Sequence, residues 1–142
     1  MNDREFKDLK HLAKGYRNYS DGGNIEKNYQ PDFSLLNGED YILLEHESEP
    51  NRKTILADMI KAAHFLQGEK TGILVIVMTP KRRSSLESYP KHIQAYLDWI
   101  GDKTNLKTVY FIYESDYMTD KQCIAINSTL FTEVAIKIEK CS

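Results

Sequence analysis

The chain has 142 residues, 41% hydrophobic and 28% charged, with 7 Gly and 4 Pro. That excludes collagen-like, low-complexity and disordered classes and predicts one unit able to bury a core. Nineteen Lys and Arg against 21 Asp and Glu give a net charge of −2, which excludes a histone-like or polybasic protein but not a local basic face.

The N-terminus, Met1-Asn2-Asp3-Arg4-Glu5, is polar and has no secretory core. The longest apolar run, Ile73 to Met78, is far short of the roughly 18 residues that cross a bilayer. No membrane association and a cytoplasmic location are therefore expected. Cys123 and Cys141 have neither CxxC spacing nor a neighbouring His, so unpaired thiols are expected, with a mutual disulfide as the alternative.

Phe6, Leu9, Leu12, Ala13 and Tyr16 recur at helical spacing and predict a helix over residues 3–17. Asn18 to Gly23 reads as a loop. Pro31 to Leu36 and Tyr41 to Glu47 are extended runs joined by Asn37-Gly38-Glu39-Asp40, which predicts a β-hairpin. Arg52 to Leu66 is an amphipathic helix with Asn51 as N-cap and Gly68 as stop. Gly72 to Met78 is an apolar strand suited to burial on both faces. Pro90 to Ile100 is a second helix closed by Gly101, and Leu106 to Tyr113 a further strand. Cys123 to Asn127 and Glu133 to Ile138 are weaker strand candidates. The order predicts an α/β sandwich with a mixed sheet, the hairpin antiparallel and the later strands parallel.

The chemistry gathers in the hairpin. Alternation along a strand puts Tyr41, Leu43, Glu45 and Glu47 on one face. A four-residue turn at 37–40 sets Leu36 against Tyr41 and Asp32 against Glu45; a two-residue turn at Asn37-Gly38 sets Asp32 against Leu43. Both bring Asp32 to the face of Glu45 and Glu47, whereas a three-residue loop sends it to the other. Two carboxylates about 4 Å apart at an effective dielectric near 20 repel by about 4 kcal/mol. A hard divalent cation on oxygen ligands, Mg²⁺ or Mn²⁺, relieves that repulsion; otherwise one group stays protonated. The same alternation also suits a solvated stripe on an edge strand, with Glu49 continuing it.

Pro31-Asp32, the thirteen-residue step from Asp32 to Glu45, and Glu45-His46-Glu47 resemble the PD-(D/E)xK nuclease superfamily, which includes restriction endonucleases, Holliday-junction resolvases and repair nucleases. The predicted element order over about residues 1–113 is similar to its common core. The resemblance implies a restriction-endonuclease-like three-layer sandwich, a single nuclease-like domain over 1–142, with 114–142 as a β-rich extension. It implies Asp32 and Glu45 as metal-binding carboxylates and the His46 backbone carbonyl as a further metal contact. The third motif position departs from the pattern: Glu47 stands where the family usually has Lys, as in some restriction enzymes, which leaves Glu47 as general base or metal ligand. Lys53 or Lys61 of the following helix could supply the absent cation. Glu5 matches the place of an extra acidic ligand on the first helix, and Glu26 is a weaker competitor. The His46 ring is expected to face away from the carboxylates in a structural role.

A nuclease needs a cationic route for its polyanionic substrate. Lys81, Arg82, Arg83 and Ser84 follow the buried strand, with Arg52, Lys53 and Lys91 as possible neighbours. The expected function is a Mg²⁺- or Mn²⁺-dependent endonuclease of double-stranded DNA, acting as a homodimer or with a partner specificity subunit. The alternative is a non-catalytic binding or assembly module of the same fold; within the nuclease class, a junction resolvase or repair nuclease ranks second.

Overall fold

The computed structural model describes residues 1–80 and 86–141. It opens on a helix much shorter than the period predicts: α1 spans only Asp3–Lys7, capped by the Asn2 side chain, which accepts from the Glu5 N–H at 2.8 Å. Beyond it the chain runs extended. Lys10 bridges to Gln122, and the Leu12 carbonyl accepts from the Ile126 N–H at 3.0 Å. The His11 ring lies against Phe6 and Phe33. Its Nε2–H donates to the Phe6 carbonyl at 2.7 Å, so Nδ1 accepts from the Tyr117 hydroxyl at 2.7 Å. Burial lowers the His11 pKa to about 4 and keeps this ring neutral. Phe6, Leu9, Ala13 and Tyr16 still reach one core, but long-range partners outweigh a helix too short to stand alone.

The segment expected as a loop contains a strand, β1 (Arg17–Ser20), antiparallel to β2 (Phe33–Asn37). Next, β3 (Asp40–Glu47) completes the predicted hairpin with Leu36 opposite Tyr41 and Asn37 opposite Asp40. The loop proper is therefore Gly38-Glu39, and Gly38 at φ +63 supplies the backbone that a two-residue reversal needs. Helix α2 (Arg52–Phe65) has the expected Asn51 cap, whose side chain accepts from the Thr54 N–H at 2.9 Å. It leads to β4 (Thr71–Met78), parallel to β3; α3 (Ser88–Gly101) leads to β5 (Leu106–Tyr113), parallel to β4.

The remaining chain is less β-rich than expected. It contains α4 (Glu114–Tyr117), the two-residue strands β6 (Met118–Thr119) and β7 (Gln122–Cys123), α5 (Thr129–Val134) and β8 (Ile136–Glu139). Residues 129–134, the last two of which fall in the strand expected over 133–138, are helical because Ser128 caps them, accepting from the Phe131 N–H. Cys123 and Cys141 are free thiols.

The result is an α/β fold on a six-stranded mixed sheet in the order β1-β2-β3-β4-β5-β8. Leu43, Leu74, Ile76 and Phe111 pack against α2 and α3 residues such as Met59 and Ile93. Leu44, Val75, Val77 and Ile112 pack on the other face with Phe6, Tyr117 and Phe131. Helices on both faces are compatible with a three-layer sandwich. Along β3 the odd positions face α2 and the even ones face α1 and α4, which decides where its polar residues act. Among the described residues, no helix is long and apolar enough to cross a membrane. Since Asn51 satisfies the first turn of α2, Asn51→Ala should destabilise the protein by about 1 kcal/mol and Asn51→Ser should not, as read from urea unfolding midpoints.

Candidate metal centre and active site

Continuing the hairpin register one step beyond Phe33–Leu44 sets Asp32 opposite Glu45. The Asp32 N–H reaches Glu45 Oε1 at 3.3 Å, and Asp32 Oδ2 accepts from the His46 N–H at 2.7 Å. Asp32 thus extends the antiparallel pairing with its side chain where β2 itself has ended. The N–H and C=O of one strand residue point to the same edge, so the His46 carbonyl also faces past the end of β2. The Glu47 carbonyl turns the other way, accepting from the Thr79 N–H at 3.0 Å.

From the next layer, α2 presents Asp58 and Lys61, three residues apart on one side of the helix. With Glu45 they line a cleft of about 590 Å³ whose opposite wall is Asn24, Lys27, Asn28, Tyr29 and Gln30. Glu45 is only 8% exposed. Burial raises its pKa well above the ordinary carboxylate range, the Asp32 charge raises it further, and Glu47 adds to this against a lowering by Lys61. Asp58 is raised first by burial, then by the hydrogen bond it shares with Glu47, then by the charge of Glu45. Asp32 is raised by burial, with the His46 N–H and Lys7 opposing. Two polar atoms in this region are buried without a hydrogen-bond partner among the described residues: Asp58 Oδ2 and the Tyr29 hydroxyl.

Asp32, Glu45 and Glu47 are thus on one face and electrostatically coupled, as the alternation predicts. Among the described residues, no three His, Cys, Asp or Glu side chains are gathered into a ready-made metal cage; the carboxylates form two linked pairs, Asp32–Glu45 and Glu47–Asp58. Lys61 belongs to this group. Lys53 does not: it is exposed in the first turn of α2, and none of the carboxylates feels its charge among their principal influences. Glu5 is corrected likewise, because it is exposed and lines a different cleft with Met1, Asp8, Leu9, Lys10, Met118 and Lys121. The short α1 turns Lys7 toward the site instead, its Nζ 3.8 Å from Asp32 Oδ1. Glu26 pairs with His64, its Oε2 2.8 Å from Nδ1.

The His46 ring is on the far face, stacked on Phe6, with Nδ1 2.9 Å from Asp3 Oδ1 and Nε2 3.0 Å from Glu114 Oε2. Of the basic residues, Arg52 and Lys91 are exposed near the starts of α2 and α3. Lys81, Arg82, Arg83 and Ser84 lie outside the described residues. Asp58, Tyr29 and Lys7 were not singled out as site residues from the sequence. Only Asp58 left a signal there, a carboxylate at the edge of the apolar face of α2 one turn before Lys61.

No protein-family model matches the chain, and neither does a curated protein or a solved structure.

The raised carboxylates have a stability consequence. A group whose pKa is higher in the folded than in the unfolded state contributes fully below the unfolded value and loses that contribution as pH rises through the folded value. His11, lowered by burial, acts in the opposite direction but only below the ordinary imidazole range. In metal-free buffer, therefore, unfolding free energy should fall between about pH 7 and pH 9, by up to about 1.4 kcal/mol per pH unit for each proton retained. Asp58→Asn should flatten this slope and raise stability at the alkaline end, measured by urea denaturation across that range.

Proposed function

We propose that the chain is a divalent-metal-dependent DNA endonuclease with a restriction-endonuclease-like fold. The observation that carries this reading is the carboxylate group: Asp32, Glu45 and Asp58 are raised in pKa by burial and by neighbouring carboxylate charge, Glu47 stands beside them, and Asp58 Oδ2 has no hydrogen-bond partner among the described residues. Such a donor set is all oxygen, suits Mg²⁺ or Mn²⁺, and loses its mutual repulsion when a cation is bound. Asp32, Glu45 and the His46 backbone carbonyl would hold the ion, with Glu47 or Asp58 completing the ligands. The bound ion would supply Lewis acidity toward the scissile phosphate and a water of lowered pKa.

The chain's own groups divide the other tasks. The carboxylate of the Glu47–Asp58 pair that does not ligate would take a proton from the attacking water. Lys61, which lines the cleft with Glu45 and whose charge lowers the Glu45 pKa, would substitute for the Lys absent from the hairpin and neutralise charge on the phosphate. The His46 N–H keeps Asp32 Oδ2 in place, so the ring on the far face and the ligand on the near face are fixed by one residue. Arg52, Lys91 and the 81–84 segment would contact the duplex backbone. β3 and β4 end together at Glu47 and Met78, so the chain leaves the sheet through Thr79 and Pro80 at the carboxylate end. Cleavage of both strands calls for two such sites, hence a homodimer or a partner subunit.

Glu47 in the place of the usual Lys favours a second reading, a module that keeps the fold for binding or assembly and does not hydrolyse. Supercoiled plasmid separates the two. With Mg²⁺ or Mn²⁺ the protein should nick or linearise it, while Glu45→Ala and EDTA should each abolish the activity; no cleavage of duplex, branched or single-stranded DNA favours the second reading. Independently of turnover, the cation at about 100 times its Kd should stabilise the fold by about 2.7 kcal/mol, and Asp32→Ala should remove that increment in a thermal melt.

A further inference from the structure

The wall of the cleft opposite α2 has features that metal binding leaves unused. Residues 24–30 are pinned in place. The Ile25 N–H donates to the Tyr29 carbonyl at 3.0 Å and the Tyr29 N–H to the Glu26 carbonyl at 3.1 Å. Glu26 is tied across to His64 of α2, and the Tyr29 ring packs 6.1 Å from Phe65. Asn28, at φ +65, closes the bend. The loop lines the cleft with three amides and Lys27, facing Lys61, and the volume of about 590 Å³ lies within the range of small-molecule sites. Tyr29 is 2% exposed, yet its hydroxyl has no partner among the described residues. A buried phenol normally finds an acceptor, and leaving it without one is costly.

We propose that this cleft binds one nucleotide of the strand being cut, its phosphate accepting from the Tyr29 hydroxyl and Lys61 and its base meeting the amides of Asn24, Asn28 and Gln30. The proposal rests on the nuclease reading, whose carboxylates Glu45 and Asp58 close one end of the cleft. Phenol and ammonium are donors to a phosphate, and side-chain amides offer a donor and an acceptor to a base edge. A cation on the carboxylates is what lets a phosphate approach them.

The test uses a fluorescein-labelled single-stranded oligodeoxynucleotide of mixed sequence, titrated by anisotropy with Ca²⁺ in place of Mg²⁺. Tyr29→Phe retains the ring against Phe65 and removes only the O–H. It should melt at or above the wild-type temperature while binding weakens about tenfold. Asn24→Ala/Gln30→Ala should weaken binding similarly; Asn28 is left unchanged because of its backbone. Wild-type affinity in both variants, no binding by the wild type, or a Tyr29→Phe protein that melts below wild type would each overturn the proposal. Binding that the variants lose, in a protein that cleaves no DNA, would keep the nucleotide pocket and discard hydrolysis.

Discussion

Removing Glu45 from water beside Asp32 is the interaction on which the arrangement turns. Burial and like charge both disfavour the ionised form, and α2 compounds the problem by adding Asp58 next to Glu47. A sheet built only for stability would carry Leu or Val there, as β3 does at Leu43 and Leu44. Instead, apolar packing elsewhere along α2, through Ile55, Met59, Ala62 and Ala63, holds acids together that would otherwise separate. Groups strained in this way by burial and neighbouring charge are where function is sought first.

The far face of β3 shows how such a strained strand stays in position. The His46 ring is enclosed between Asp3 of α1 and Glu114 of α4. Glu114 Oε2 also accepts from the Thr79 hydroxyl at the end of β4. One buried imidazole therefore ties two short helices to the strand that carries the acids, while the backbone N–H of the same residue fixes Asp32. Neither α1 nor α4 is long enough to be stable alone; they form because these polar contacts and the Phe6 and Tyr117 rings anchor them.

Much of this was legible in the sequence because local and long-range preferences agree. Asn37-Gly38 marked the reversal, and alternation then placed Asp32, Glu45 and Glu47 on one face. The β-branched runs at 72–78 and 106–113 gave the central parallel strands, and Asn51 gave the start of α2. The failures fall where several local solutions compete. Phe6, Leu9, Ala13 and Tyr16 satisfy a helical period, but an extended chain buries the same residues once Gln122, Ile126 and Tyr117 are present to pair with it. Residues 114–117 and 129–134 are too short for a period to be diagnostic. Tyr29 and Lys7 join the site through tertiary contacts alone, and no spacing announces them.

The tie between His11 and Tyr117 closes a loop of 106 residues, and Asn127 adds a second clasp by donating to the Lys14 carbonyl and accepting from its N–H. Head and tail of the polypeptide are thus zipped side by side, a high-contact-order closure that only a nearly finished molecule can make. Lys7, which approaches Asp32, lies just upstream of this clasp. The placing of Lys7 beside the acidic centre is thereby linked to the docking of residues 117–127 against the start of the chain.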